Sequence, residues 1–192
     1  EAGHDPRRGF AGGYYLEGLS LGLPFVAAFM KPGGWGREVT SAIDQYDHMT
    51  CGWVCGEDQA MEGNSIMLHP SEKDQYGLPI PIVTKTYTGN DHALARHGLK
   101  QWRALSEAVG AQRVIDMPPY PASHNMGTNR MSANPRDGVV NKWGQTHDVK
   151  NLFVSDGSQF TSSGACNPTL TIVALAIRQA GHIAGAMKRK EL

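Results

Sequence analysis

No uninterrupted run of about eighteen apolar residues, the length that crosses a bilayer, occurs among the 192 residues of this chain. The longest candidate, Leu19 to Met30, is broken by Gly22 and Pro24, so no membrane-spanning segment is expected. Neither sign of charge is in excess. Eighteen Lys and Arg balance eighteen Asp and Glu, which removes the electrostatic footprint of a nucleic-acid binder and suits a small neutral substrate. Cysteine is scarce, and Cys51, Cys55 and Cys166 cannot all pair with one another, so a disulfide scaffold is excluded. The combination His48, Cys51, Cys55 and His69 lacks the spacing of a closed zinc site; Cys51 and Cys55 would share a strand face, which packing explains, and no metal is expected. The chain opens at Glu1 without a signal-peptide pattern, as either a processed chain or a fragment would.

What is present is enough apolar chain for one ordinary domain or two small ones. Arg8 to Leu19 mixes glycine with aromatic and β-prone residues, as a glycine-marked strand or strand pair does. Lys31-Pro-Gly-Gly-Trp-Gly36 is turn material, and Glu38 to His48 reads as a short helix. Three strands follow, about Met49–Cys55, Ser65–His69 and Ile80–Tyr87, expected to form one largely antiparallel sheet. Asn90 can cap a helix that carries Leu94, Trp102, Leu105 and Val109 on one face and ends at Gly110, and this helix is expected to cover the sheet. Pro118, Pro119 and Pro121 stiffen a link into a second region, which places a boundary near Pro119. Beyond it lie a loop rich in Asn, Gly and Met, a strand at Asn151–Ser155, a turn at Asp156-Gly157, and a helix from Pro168 to about Lys188. That helix is apolar on most sides and should be enclosed by protein, yet too little chain lies nearby to enclose it. A segment packing there from elsewhere is expected on that ground alone.

Two positions attract chemical interest. Asn167 and Pro168 stand where the last helix begins, and Asn at the N-cap followed by Pro at the first helical position starts many helices for purely structural reasons. The same helix start also presents free amides and a positive dipole end to an anion or an electron-rich ring oxygen. His124 lies in a flexible segment, Ser-His-Asn-Met-Gly-Thr, whose small residues let backbone approach a ligand. A loop histidine is more often solvated than catalytic, but imidazole titrates near neutrality and suits a general base that takes a hydroxyl proton. The four tryptophans read as packing residues, and Glu57 and Asp58 as solvated turn groups.

Three ordered motifs, His124-Asn-Met-Gly-Thr-Asn-Arg-Met131, Asn151-Leu-Phe-Val-Ser-Asp-Gly-Ser158 and Gly164-Ala-Cys-Asn-Pro-Thr169, resemble the C-terminal region of the glucose-methanol-choline oxidoreductases. Gly56-Glu-Asp58 through Asn64, with Lys73-Asp-Gln-Tyr-Gly-Leu-Pro79, looks like the substrate domain of the bacterial gluconate, fructose and glucose dehydrogenase branch. The resemblance implies an α/β (α+β) fold: an antiparallel substrate-domain sheet with a covering helix over residues 1–118, and the C-terminal portion of a Rossmann-like FAD-binding domain over 119–192. It implies FAD as cofactor and a sugar, polyol or sugar acid as substrate, oxidised at a CH–OH group with hydride passing to flavin N5. By position, His124 and Asn167 match the catalytic pair, Asp156 and Gly157 the contact to the cofactor's phosphate and ribityl region, and Asn167, Pro168 and Thr169 the segment beside the flavin ring.

The family's N-terminal G-x-G-x-x-G is absent, because Gly34-Trp-Gly36-Arg-Glu-Val39 lacks the third glycine and reads as a turn. An N-terminal FAD-binding segment, in the same polypeptide or a separate chain, is therefore the first expected partner. The branch further implies a small subunit, a cytochrome or quinone acceptor, and a periplasmic or membrane-associated complex, with no nucleic acid. One rival of another class stands beside this: Gly18-Leu-Ser-Leu-Gly22 satisfies G-x-S-x-G, which would make Ser20 a hydrolase nucleophile. That reading needs a helix directly after the turn, where Pro24 is expected to prevent one.

Overall fold

A computed structural model describes residues 6–30, 34–119 and 123–192. Lys31 to Gly33, the first half of the expected turn, and Pro121 of the expected link lie outside the described residues. The chain divides into two compact units: Glu1–Glu57 with Asn90–Ala122, and Asp58–Gly89 with Ser123–Leu192.

In the first unit, β1 (Tyr14–Leu19) pairs antiparallel with β2 (Cys51–Gly56), Tyr15 opposite Cys55 and Glu17 opposite Trp53. Between the strands the chain forms α1 (Leu23–Met30) and α2 (Arg37–Ile43). The small core here is Val26 and Ala42, with Leu21, Tyr46, Met49, Cys51 and Ile115 packed against them. The helix α1 was not expected from the sequence. Pro24 is tolerated because it lies in the first turn, where an amide has no intrahelical acceptor to lose.

The expected covering helix is α3 (Gly89–Ala108), and Gly110 follows it at φ 82°. It lies on the β2 face formed by Gly52, Val54 and Gly56. A methyl group at Gly52 would run into the Trp102 ring, one at Gly56 into Leu94, and one at Gly98 into Val54. Backbone-to-ring approach of this kind is available only without a Cβ. Trp102 Nε1 donates to the Trp53 carbonyl at 3.0 Å, and Tyr14 Oη pairs with His97 Nδ1 at 2.7 Å. Two expectations need correcting. Asn90 does not cap α3 but clamps Ala11, its Oδ1 accepting from the Ala11 amide at 2.7 Å. Leu105 and Val109, expected on the packed face, are exposed, because the two-stranded ladder is too short to cover the last turns.

The three expected strands do not share one sheet. In the second unit β3 (Ser65–Lys73) pairs with β4 (Pro79–Thr84) as a separate two-stranded ladder. Asn64 holds the ladder's open end, its Oδ1 accepting from the Thr86 amide at 2.8 Å, and Asp74 Oδ1 closes the turn by accepting from Tyr76 and Leu78. Pro70, Pro79 and Pro81 remove ladder donors, the composition of edge strands rather than of strands inside a larger sheet.

The rest of the second unit is held by isolated bridges, Met131 to Val140, Val140 to Thr146 and Gln145 to Phe153. The strand expected at Asn151–Ser155 is thus a single bridge at Phe153, because Thr146 and Val149 turn the chain immediately before it, Thr146 Oγ1 donating to the Val149 carbonyl at 2.6 Å. Helix α4 (Thr169–Lys188) closes the unit. Its inner face carries Gln179, 5% exposed, which donates to the carbonyls of Trp143 and Val154 at 2.9 and 2.8 Å, and His182, stacked on Trp143 at 4.4 Å. The outer face is bare: Leu170 is 85% exposed and Ile177 69%. By length and composition alone this helix would suffice to cross a membrane, contrary to the expectation from uninterrupted runs. A buried glutamine that bonds two loop carbonyls marks its inner face as core of this unit.

Candidate active site

The three motif segments meet within the second unit. The Asp156-Gly157 turn is the centre of the arrangement. Asp156 Oδ1 accepts from the Ser158 amide at 2.7 Å, which starts a short 3-10 turn over Gly157–Gln159. The turn receives the histidine loop on one side: the Asn129 amide donates to the Ser158 carbonyl at 2.9 Å, Asn129 Nδ2 to Ser158 Oγ at 3.0 Å, and the Met131 amide to the Gln159 carbonyl at 2.8 Å. On its other side stands the first turn of α4. A Cβ at Gly157 would lie 3.2 Å from Ile172 Cδ1 and 3.4 Å from Met126 Cγ, so helix, turn and loop close tightly on a position where even a methyl group would press on its neighbours.

Deeper support comes from Gln179. Gly144, at φ 71°, lies where a methyl group would collide with the Gln179 amide and come within 2.6 Å of the Val154 carbonyl. The glutamine can therefore reach both carbonyls and fix α4 against the segment that leads into Asp156.

Around the start of α4 these segments leave an open concavity of about 220 Å³, lined by Met126, Phe160, Ser162, Ser163, Gly164, Cys166, Asn167, Pro168 and Thr171. Asn167 and Pro168 are thus in its wall, and Met126 brings the histidine loop to it two residues after His124. His124 itself is exposed. Gly157, buried, packs against Met126 of that wall, Asp156 beside it in the chain is exposed, and Thr169 is exposed at the first helical position.

The structural account of Asn167 does not survive. The residue flanking α4 is Pro168, at φ −91° and ψ −2°, and no side chain caps the helix. Asn167 is exposed and its amide is not used by the protein among the described residues. The helix start keeps its unsatisfied amides, the Ile172 amide being the first that bonds back, to Pro168. Serines 162 and 163, Phe160 and Thr171 are wall residues that sequence reasoning missed. A Ser-Ser-Gly run just before an Asn-Pro helix start was the available signal.

A larger concavity of about 520 Å³ in the same unit, lined by Met131, Ser132, Ala133, Asn141, Lys142 and Trp143, contains none of the expected site residues. Its Asn141 and Ser132 side chains are spent on local turns, Asn141 Oδ1 accepting from the Trp143 amide and Ser132 Oγ from the Asn134 amide, while the Lys142 ammonium lies over the Trp143 ring.

The rival nucleophile fares differently in two respects. Ser20 does lie between a strand and a helix, against expectation, since α1 begins at Leu23. However, the strand belongs to an antiparallel ladder, and Ser20 is exposed with no hydrogen bond to a histidine or carboxylate among the described residues. Serine without a base stays a weak nucleophile. Burial pushes the thiols of Cys51 and Cys55 up, and among the described residues no group of three or more His, Cys, Asp or Glu is placed to hold a metal.

A family model described as GMC oxidoreductase matches residues 62–176, which include the whole concavity. Among curated proteins, the chain is 39% identical over 191 residues to 2-methyl-1,2-propanediol dehydrogenase of Mycolicibacterium austroafricanum, covering 93% of this chain and 34% of that protein. It is 37% identical over 131 residues to fructose dehydrogenase large subunit of Gluconobacter japonicus, covering 66% of this chain and 23% of that protein. With gluconate 2-dehydrogenase flavoprotein of Pantoea cypripedii the identity is 29% over 181 residues, covering 87% and 29%. The chain thus spans about a third or less of the length of these relatives.

Proposed function

The chain belongs to the GMC oxidoreductase family, and from that premise we propose that it forms the C-terminal part of an FAD-dependent dehydrogenase that oxidises a CH–OH group of a sugar, polyol or sugar acid. The observation that carries this reading is the meeting of the His124 loop, through Met126, and the Asn167-Pro168 helix start on one concavity, with Gly157 of the Asp156-Gly157 turn packed against Met126. The names of the relatives, a diol dehydrogenase, a fructose dehydrogenase and a gluconate dehydrogenase, favour small polyhydroxylated substrates.

The residues present fit the edge of a flavin and no more of it. Free amides at the start of α4 and the hydroxyls of Ser162, Ser163 and Thr171 suit the polar rim of the ring, while Met126 and Phe160 suit its plane. A space of about 220 Å³ is below the range of a site that encloses a cofactor, so the nucleotide half requires a further FAD-binding segment, in the same polypeptide or a separate chain. Asp156, Gly157, Pro168 and Thr169 would line the cofactor side. Bound FAD supplies the acceptor for the substrate's hydride. His124 removes the hydroxyl proton as the carbon is oxidised, and an exposed imidazole on a glycine-containing loop is free to meet the substrate. Asn167 donates its amide to the substrate oxygen as negative charge develops there.

The division into a substrate-domain portion, residues 1–118, and the C-terminal portion of an FAD domain, 119–192, is a division by role in the complete enzyme; contacts group residues 58–89 with the C-terminal unit. A small subunit and a cytochrome or quinone acceptor belong to the same proposal, since two of the relatives are named as a large subunit and a flavoprotein. The test is His124→Ala in the full-length enzyme, with flavin content read from absorbance. Turnover should fall about 10²-fold or more with flavin retained. Unchanged turnover removes His124 from the mechanism.

A further inference from the structure

The loop that carries His124 has no regular structure from His124 to Gly127, and no hydrogen bond joins residues 123–126 to any other described residue. What holds it lies downstream, on the turn over Gly157–Gln159 and on Phe160. Met126 packs on Gly157, and a Cβ at Gly127, which sits at φ 92°, would lie 3.6 Å from the Phe160 carbonyl. The Met131 amide donates to the Gln159 carbonyl at 2.8 Å. Between these contacts Asn129 bonds to one residue of the turn twice. Its amide donates to the Ser158 carbonyl at 2.9 Å, and its Nδ2 donates to Ser158 Oγ at 3.0 Å.

A main-chain bond and a side-chain bond to the same partner fix the Asn129 carboxamide together with its backbone. Both residues are half-buried, so water competes less for the side-chain bond than it would at the surface. Ser158 is itself held, its amide donating to Asp156 Oδ1 at 2.7 Å. The turn inside the loop offers little instead, because the Arg130 amide reaches the Gly127 carbonyl only at 3.3 Å, beyond the usual range of an N–H···O bond. The shape of that turn therefore leans on the Asn129 carboxamide. From there the chain runs back through Gly127 to Met126 in the wall of the concavity and on to His124, with no hydrogen bond among the described residues to resist a shift begun at Asn129.

We propose that Asn129 is a positioning residue for His124: its carboxamide, bonded to Ser158 Oγ, holds the loop on the Asp156-Gly157 turn and so sets where the imidazole meets the substrate hydroxyl. The inference rests on the oxidoreductase reading above, in which His124 is the base, and adds the group that supports that base. A general base must stand within hydrogen-bond reach of the proton it takes, and a misplacement of about 1 Å can cost about 10²-fold. The bonds from the Asn129 and Met131 amides survive truncation of the side chain, so the expected loss is smaller, about tenfold.

The test uses the full-length flavoenzyme with 2-methyl-1,2-propanediol, D-fructose and D-gluconate as probes, and breaks the same bond from either end with Asn129→Ala and Ser158→Ala. For the alcohol that is oxidised, each variant should lower kcat about tenfold, with KM within about twofold of wild type and flavin absorbance retained. The double variant should be no slower than either single one, and neither change should lower the residual rate of His124→Ala further, because both act through that imidazole. Independently of turnover, amide hydrogen exchange over residues 123–131 should quicken by about two- to tenfold in both variants while exchange in α4 stays as it was. If one variant fails to fold, the other carries the reading; failure of both makes the bond a requirement of folding and overturns it. Loss of flavin from the folded variants assigns the bond to the cofactor side and overturns it as well. A kcat within about twofold of wild type in the folded variants, with His124→Ala still slow, overturns the positioning role and leaves the oxidoreductase standing. So does a further loss of about tenfold in the His124→Ala background, which would give Asn129 a part independent of the base. If none of the three alcohols is oxidised, or His124→Ala changes nothing, the reading of His124 as the base fails and the positioning role falls with it.

Discussion

Substituting Asn167 by alanine separates two accounts of the same residue. As a helix cap, its loss would cost about 1 kcal/mol. The structure removes that contribution, since Asn167 is exposed and no side chain caps α4. An exposed side chain without partners contributes within about 0.5 kcal/mol, so Asn167→Ala should move the thermal midpoint of the full-length enzyme by less than about 2 °C. Activity should behave otherwise. A hydrogen bond from the carboxamide to an oxygen that gains negative charge is worth about 1.5–3 kcal/mol, or about a 10–150-fold loss in kcat/KM. The assay pairs thermal unfolding, followed by flavin fluorescence, with steady-state turnover of the same preparations. A destabilisation of 1 kcal/mol or more with turnover unchanged would refute the reasoning, because it would restore the capping role and leave the amide no part in the reaction.

Other consequences are testable with equal directness. Gln179→Leu strands the Trp143 and Val154 carbonyls at the base of α4 and should destabilise the protein by roughly 2–4 kcal/mol, measurable by urea unfolding; a change below about 0.5 kcal/mol would mean that α4 is held by other contacts. Residues 1–192 expressed alone should bind FAD weakly or not at all and should self-associate through Leu170, Val173 and Ile177, which stand exposed on α4. Fluorescence titration with FAD and size-exclusion chromatography read both, and a monomer that binds FAD at submicromolar affinity would sink the expectation of a further cofactor-binding segment.

Local chemistry was legible without coordinates. The strands and the two long helices were readable from apolar periodicity and from turn residues such as Gly110, because those patterns act over a few residues. The three motifs named the family, and the apolar excess of α4 announced a surface that local chain could not cover, as Leu170 and Ile177 confirm by their exposure. What the linear pattern could not carry was partner choice. Nothing in β2, β3 and β4 themselves says that β2 pairs back to β1 while β3 and β4 pair with each other; the closures by Asn64 and Asp74 decide it. Asn90 and Asn167 make the same point, since both read as caps and neither is one. Asn90 is drawn 79 positions away to Ala11, and Asn167 is left with its amide open beside Met126 and Phe160. The sequence determined which groups were available, through short-range propensity and chemistry. Which of them met on the Asp156-Gly157 turn was decided only by tertiary structure, because a side chain bonds to whatever the packed backbone brings within about 3 Å, however distant in the chain.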